Sequence, residues 1–111
     1  MRNIIIPVDF SHTSLNAARF AAEMFAGKND INVILYNMFE DDEDDAPSLQ
    51  YLESLRSELM AKNLSNVEYV KERGDNLIDN LERLAYQKAA LLIVMGITGK
   101  SAIQQVLVGS N

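Results

Sequence analysis

A wholly apolar run near the carboxyl end of this chain constrains its fold more than any other feature. Leu91-Leu92-Ile93-Val94-Met95 contains no polar residue and is followed at once by Gly96. A short apolar run bounded by glycine is typical of a parallel strand that is buried on both faces. A chain that contains such a strand must cover its sheet with helices on both sides.

Strand-like and helix-like segments alternate along the 111 residues. We predict strands over 3–8, 31–38, 67–71 and 90–95, and we place the weak third strand at a sheet edge. Three helices are expected between them, with their apolar positions at helical spacing. These positions are Leu15, Ala18, Ala22 and Phe25 in the first helix, Leu49, Leu52, Leu55 and Leu59 in the second, and Leu77, Ile78, Leu81, Leu84 and Ala85 in the third. Ser11 or Thr13 is expected to cap the first helix, Gly27 to close it, and Asp75 to cap the third.

Alternating strands and helices with short connections predict one α/β domain with an open parallel sheet and helices on both faces. Ligands of such sheets bind beyond the carboxyl ends of the strands. The residues that follow the strands are therefore the first candidates for a functional site.

Charge and composition exclude several classes of function. Glu40 to Asp45 are all acidic, and without these six the 16 acidic residues fall to ten, equal to the ten basic ones. No basic stripe is present, so we expect no nucleic-acid partner. No apolar run approaches the ~20 residues that span a bilayer, and no secretory pattern precedes the first strand, so we expect no membrane partner. The absence of cysteine fits a cytoplasmic protein.

The glycines after the apolar run are the strongest candidate ligand site. Gly96 and Gly99 form G-x-x-G, and Gly109-Ser110 follows after a nine-residue spacer. Glycines after a buried strand allow tight turns that present backbone N–H groups to an anion. Thr98, Lys100 and Ser101 lie in the same loop and are candidate phosphate donors. The order of residues excludes both a Walker A loop and the G-x-G-x-x-G fingerprint.

Both ends of the chain resemble one protein family. The G-x-x-G, nine residues, G-S pattern resembles the nucleotide-binding signature of the universal stress protein family, in its ATP-binding branch. Asn3-Ile4-Ile5-Ile6-Pro7-Val8-Asp9-Phe10-Ser11 resembles the first strand of that family and the loop after it. The resemblance implies the strand order 3-2-1-4-5, which brings strands one and four side by side.

The same resemblance implies an adenine-nucleotide site. Pro7 and Val8 would line the adenine slot, and Met38 would close its other side. The glycine loop would hold the phosphates, with further N–H donors from Gly109, Ser110 and Asn111. Asp9 has two interpretations, as a turn or helix-capping residue, or as a ligand of the nucleotide or of its Mg²⁺.

The family pattern continues past Asn111 with a helix and a strand that this sequence lacks. We therefore expect residues 1–111 to form a carboxyl-terminally incomplete domain with the strand order 3-2-1-4. Strand four should then lie at an uncovered sheet edge. A homodimer, or half of a tandem protein, is the expected assembly.

The function that the resemblance implies is an ATP-binding stress-response or signalling module, not an enzyme, with at most slow ATP hydrolysis. Two alternatives stay open: an interaction module that has lost nucleotide, and an ATP-consuming adenylating enzyme. The adenylating enzymes need S-G-G-x-D-S or H-x-G-H motifs, which are absent. We assign His12 a structural role, and the acidic run lacks the spacing of a calcium loop.

Overall fold

The sheet has five strands in the order β3-β2-β1-β4-β5. The computed structural model describes residues 1–41, 45–96 and 104–108, and for 45, 46 and 104–108 it describes the backbone alone. The strands are β1 (Arg2–Pro7), β2 (Ile31–Phe39), β3 (Val67–Arg73), β4 (Leu92–Gly96) and β5 (Gln104–Val108). The helices are α1 (His12–Phe25), α2 (Asp45–Ala61) and α3 (Leu77–Gln87).

The first four strands are parallel, and their order 3-2-1-4 confirms the prediction. β1 lies at the centre, and the side chains of Ile4, Ile5 and Ile6 are fully buried. Three consecutive buried residues are possible because helices cover both faces of the sheet. β3 lies at an edge, as its weak pattern predicts.

The expectation of an uncovered edge at β4 is wrong. β5 pairs with β4 in the antiparallel direction, from Leu92 opposite Val108 to Gly96 opposite Gln104. The spacer between Gly99 and Gly109 contains this strand, whose Gln-Gln-Val-Leu-Val sequence is rich enough in apolar residues to add to the sheet. The backbone hydrogen-bonding groups of β4 are thereby paired on both sides.

Two hydrophobic clusters lie on the two faces of the sheet. One contains Ile4, Ile6, Val33 and Leu35 together with α1 and α2. The other contains Ile5, Ile34 and Tyr36 together with α3. The alternation along β1 and β2 follows from the two-residue period of a strand, which points successive side chains to opposite faces.

The ends of α1 confirm the sequence signals. The Ser11 hydroxyl accepts a hydrogen bond from the Ser14 N–H at 3.2 Å, so Ser11 is the N-cap. Gly27 follows the helix with a φ of +79°, a conformation that favours glycine. The predicted cap of α3 is wrong by one residue, because the side chain of Asn76, not Asp75, accepts the Asp79 N–H at 3.0 Å.

The apolar stripes of α2 and α3 are each wrong at one position. Leu52, Leu55 and Leu59 are buried, but Leu49 is 39% exposed. Ser48 takes the buried position one turn before Leu52, since residues four apart share a helix face.

In α3, Leu81, Leu84 and Ala85 are buried while Ile78 is 53% exposed. Leu77 packs against the cluster on this face instead. No helix within the described residues is long and apolar enough to cross a membrane.

Candidate functional site

A pocket of about 240 Å³ lies where β1, β2 and β4 end, at the carboxyl edge of the parallel strands. It brings together residues that are far apart in sequence. Its lining consists of Pro7, Val8, Asp9, Ser11, Thr13, Ser14, Tyr36, Met38, Leu77, Met95 and Gly96. Five of the predicted site residues, Pro7, Val8, Asp9, Met38 and Gly96, therefore lie in one pocket.

The other predicted site residues, Thr98, Gly99, Lys100, Ser101, Gly109, Ser110 and Asn111, lie outside the described residues. Of the segment between Ser101 and Gly109, the backbone of β5 is described. Gln104 lies opposite Gly96, at the pocket edge of the sheet, and Val108 lies opposite Leu92, at the other edge.

Asp9 forms a tight turn with the first residues of α1. Its Oδ1 accepts hydrogen bonds from the Ser11 N–H at 3.0 Å and from the Ser11 hydroxyl at 2.5 Å. The Asp9 N–H donates to the Ser14 hydroxyl at 3.2 Å. Oδ1 thus belongs to the turn, and Asp9 is also one of the residues that line the pocket.

The hydrogen bonds of this turn keep Asp9 ionised. Burial acts to raise the pKa of its carboxyl, but the bonds with the side chain and backbone of Ser11 and with the Ser14 side chain outweigh it. The pKa therefore lies below its ordinary value. Asp9 is the single carboxylate among the described residues that line the pocket.

The N-cap and first turn of α1 contribute three hydroxyl-bearing residues to the pocket lining, Ser11, Thr13 and Ser14. Ser11 and Thr13 are predicted from the sequence only as helix caps, and none of the three is predicted as a site residue. The signal was present in the sequence, because a helix that begins after a central strand places its first turn at the carboxyl edge.

Tyr36, Leu77 and Met95 were also missed. Tyr36 and Met95 precede the ends of β2 and β4, and Leu77 begins α3. From the sequence alone, each of these three residues would be assigned to the hydrophobic core.

Phe10 holds the loop between Asp9 and α1 in an unusual backbone conformation. Its φ is +66°, in the left-handed region that residues other than glycine rarely adopt. Its ring lies 5.1 Å from that of Tyr51 in α2, measured between centroids. The contact with α2 compensates for the unfavourable backbone conformation of Phe10.

Gly96 allows β4 to approach α1 closely. A Cβ atom at this position would lie 2.6 Å from Cγ2 of Thr13 and 2.8 Å from its carbonyl carbon. Any side chain would have to displace the backbone of the first turn of α1. The glycine is required here by packing, in addition to any role in a phosphate-binding loop.

Val8 continues the pairing of β1 with β2 past the end of β1. Its N–H donates to the Tyr36 carbonyl at 2.8 Å, and its carbonyl accepts from the side-chain amide of Asn37 at 2.9 Å. The backbone beside the pocket is thus fixed on both sides of Val8 by β2.

A partly exposed polar network borders the pocket on the α3 side, with Tyr36 as its buried member. The Tyr36 hydroxyl donates to Glu72 Oε1 at 2.7 Å, and Arg83 forms an ion pair with the same oxygen. Burial, and then the hydrogen bond to Glu72, raise the pKa of Tyr36 to about 12. Burial acts to raise the pKa of Glu72, but the bonds from Tyr36 and Arg83 bring it below its ordinary value.

The described residues contain no cluster of three or more metal-ligating side chains. His12 is exposed at the start of α1 and is absent from the pocket lining. The pocket therefore combines apolar walls, hydroxyl groups and one carboxylate. Such a lining suits a flat apolar ring that carries polar substituents.

Comparisons with known proteins agree with this architecture. The model of the universal stress protein family matches residues 1–111. Protein Rv1636 from Mycobacterium tuberculosis H37Rv has 25% identity and a TM-score of 0.74, over 92% of this chain and 75% of that one. A universal stress protein from Archaeoglobus fulgidus has 24% identity and a TM-score of 0.76, over 99% of this chain and 86% of that one.

A further similar structure is that of a universal stress protein in complex with cAMP. It has 22% identity and a TM-score of 0.73, over 85% of this chain and 71% of that one. No match was found among curated proteins.

Proposed function

This chain belongs to the universal stress protein family, and on that premise we propose that it binds an adenine nucleotide, with ATP as the expected ligand. The site is the pocket at the ends of β1, β2 and β4. The observation that carries the proposal is the meeting of Pro7-Val8-Asp9, Met38 and Gly96 around one pocket. A relative of the same fold was crystallised with cAMP, which supports an adenine ligand.

The lining divides into parts that suit the parts of a nucleotide. Val8 and Met38 provide apolar surface on which an adenine ring can lie. The Ser11 and Ser14 hydroxyls donate within the turn, to Asp9 and to the Ser11 carbonyl. We therefore assign contact with ribose or phosphate oxygens to Thr13 and to the N-terminus of α1, which attracts negative charge. The loop that begins at Gly96 leads to Thr98, Gly99, Lys100 and Ser101, to which we assign the phosphates.

The donor set of the pocket fits Mg²⁺ only together with a nucleotide. Asp9 supplies one carboxylate, and Mg²⁺ is usually held by one or two carboxylates plus phosphate oxygens and water. Asp9 would thus hold the ion, which would neutralise part of the phosphate charge. Its lowered pKa keeps the carboxylate charged at neutral pH.

We propose a binding and signalling module, not an enzyme. Besides Asp9, no carboxylate and no histidine lines the pocket among the described residues, so few groups there could act as a general base. Nucleotide occupancy would then be the signal, with hydrolysis slow at most. We place this module in the cytoplasm and expect it to act as a homodimer or as half of a tandem protein.

Mass spectrometry of the denatured purified protein and calorimetric titration with ATP, AMP and cAMP test the proposal. We expect a co-purifying adenine nucleotide and saturable heat of binding. Gly99→Val should abolish binding, because its branched side chain would fill the space of the phosphates. Gly27→Asn, which changes the glycine at the far end of α1, is the matched control and should bind normally.

Two results would count against the proposal. Unchanged ATP affinity in a folded Gly99→Val variant would contradict the assignment of the phosphates. Absence of both co-purified nucleotide and binding heat would favour the alternative, an interaction module that has lost nucleotide.

A further inference from the structure

A second depression, of about 560 Å³, lies beside the candidate nucleotide pocket on the α2 side of the sheet. It is formed by the loop after β1, the end of β2 and the first turns of α2. Its lining shares Asp9 and Met38 with the first pocket, but its other residues differ. Nothing in the proposed nucleotide site makes use of those other residues.

The lining combines aromatic rings with carboxylates. The rings are those of Phe10, Phe39 and Tyr51. Carboxylates come from Asp9, Glu40 and Asp41, and no Lys or Arg of the described part of the chain lines the depression. Aromatic faces attract cations through their quadrupoles, and carboxylates add Coulombic attraction.

Phe39 is already in contact with two cations of the chain itself, so a ligand in the depression must use the rings of Phe10 and Tyr51. Lys71 Nζ lies 5.4 Å from the centroid of the Phe39 ring, and Arg73 Cζ lies 5.3 Å from it. Tyr51 is 59% exposed, so its ring is accessible from solvent.

A buried hydrogen-bond acceptor beside the depression indicates which kind of cation would bind there. Asn37 lines the depression and is only 5% exposed. Its amide nitrogen donates to the Val8 carbonyl at 2.9 Å, which fixes the orientation of the amide. Its Oδ1 is buried and has no hydrogen-bond partner among the described residues. A buried acceptor without a partner is costly, so an entering N–H donor would gain more here than on open surface.

We propose that this depression binds a primary alkylammonium group, such as one end of a diamine or polyamine. The ammonium would donate to Asn37 Oδ1 and to the carboxylates, while its alkyl chain would lie on Phe10 and Tyr51. A primary ammonium fits better than a quaternary one because only the former has N–H donors. It also fits better than a bare divalent ion, because the described residues offer no cluster of three metal ligands.

Nuclear magnetic resonance titration with 1,4-diaminobutane tests this site without any nucleotide, so its outcome is independent of the nucleotide proposal. We expect saturable shifts of the backbone amides of Phe10, Asn37 and Tyr51. Butylammonium and tetramethylammonium each carry a single charge, but only butylammonium has N–H donors, so tetramethylammonium should bind several-fold more weakly than butylammonium.

Two exposed substitutions with matched controls locate the site. Tyr51→Leu and Asp41→Asn should each raise Kd about threefold, because the first removes the ring surface on which the alkyl chain lies and the second removes one exposed charge contact. Tyr86→Leu and Glu82→Gln make the same chemical changes on α3 and should leave Kd unchanged. Equal affinities in all four variants, equal binding of butylammonium and tetramethylammonium, or no saturable shift in the millimolar range would each overturn the proposal.

Discussion

Thr13 and Gly96 lie so close together that no side chain fits between them. A Cβ atom at Gly96 would be 2.6 Å from Cγ2 of Thr13, and the nearest obstacle is the Thr13 backbone carbonyl. The contact joins the end of β4 to the first turn of α1, and both residues line the candidate nucleotide pocket. The width of the pocket on this side is therefore set by backbone packing.

We expect Gly96→Ala to lower the free energy of unfolding by about 1–3 kcal/mol, the usual range for an overpacked site. Backbone is the obstacle, so a change of rotamer cannot remove the clash. Urea denaturation measures the effect. Gly27→Asn is the control, because a Cβ at Gly27 meets nothing within 4 Å and Asn tolerates a positive φ. A Gly96→Ala variant as stable as this control would contradict the packing role.

Ser11→Ala should impair both stability and nucleotide affinity. The Ser11 hydroxyl caps α1 and also donates a hydrogen bond to the Asp9 carboxylate. Loss of an N-cap costs about 1 kcal/mol. Asn76→Ala removes the cap of α3 and should cost a similar amount without weakening nucleotide binding. The two variants are to be compared by thermal unfolding and by ATP titration, and equal ATP affinities would exclude a positioning role for Ser11.

The buried Tyr36 should make the protein less stable as the pH rises from 10 to about 12. Its pKa is raised from 10.0 to about 12 in the folded protein. In this window the unfolded chain releases a proton that the folded chain keeps, so stability falls as the pH rises. Below pH 10 the contribution of Tyr36 to the stability of the folded protein is fully present.

Tyr36→Phe tests this assignment. The variant should lose about 1 kcal/mol at neutral pH, the usual net value of one hydrogen bond. Its stability should also fall less between pH 10 and 12 than that of the parent protein. Tyr86→Phe, at an exposed position of α3, is the control. Parallel stability curves for the parent and Tyr36→Phe in this window would contradict the assignment.

Two leucines of α2 should respond differently to the same substitution. Leu52 is fully buried, and Leu52→Ala should lower the free energy of unfolding by about 2–5 kcal/mol. Leu49 is 39% exposed, and Leu49→Ala should change the free energy of unfolding by about 0.5 kcal/mol or less. Chemical denaturation of both variants decides the matter, and equal losses would mean that α2 packs through Leu49 as well.

The sequence was sufficient for the parallel sheet because several signals agreed. The apolar runs Ile4-Ile5-Ile6 and Leu91 to Met95 predicted strands that are buried on both faces, and the helical spacing between them required covering helices. Ile4, Ile5, Ile6, Ile93 and Val94 are indeed buried, whereas Leu91 is 41% exposed and precedes β4. The meeting of Val8, Met38 and Gly96 then follows from topology, since parallel strands end at one edge.

What the sequence did not predict depends on tertiary contacts. Leu49 and Ser48 differ by one position, and only the rotation of α2 against the sheet decides which of them is buried. The left-handed conformation of Phe10 has no local signal, because it is held by the Tyr51 ring of another element. The pairing of β5 has only a weak local signal, because the strand is five residues long and begins with two glutamines.

The antiparallel direction of β5 limits how much of this strand lies beside the candidate nucleotide pocket. Val108 lies opposite Leu92, four residues along β4 from Gly96, which is about 13 Å at the rise of a strand. Gln104 and Val108 therefore lie at opposite edges of the sheet, and the described strand is beside the candidate nucleotide pocket only at its Gln104 end. From there β5 runs back along β4, away from the carboxyl edge of the parallel strands, so most of the strand supports β4 and not the pocket.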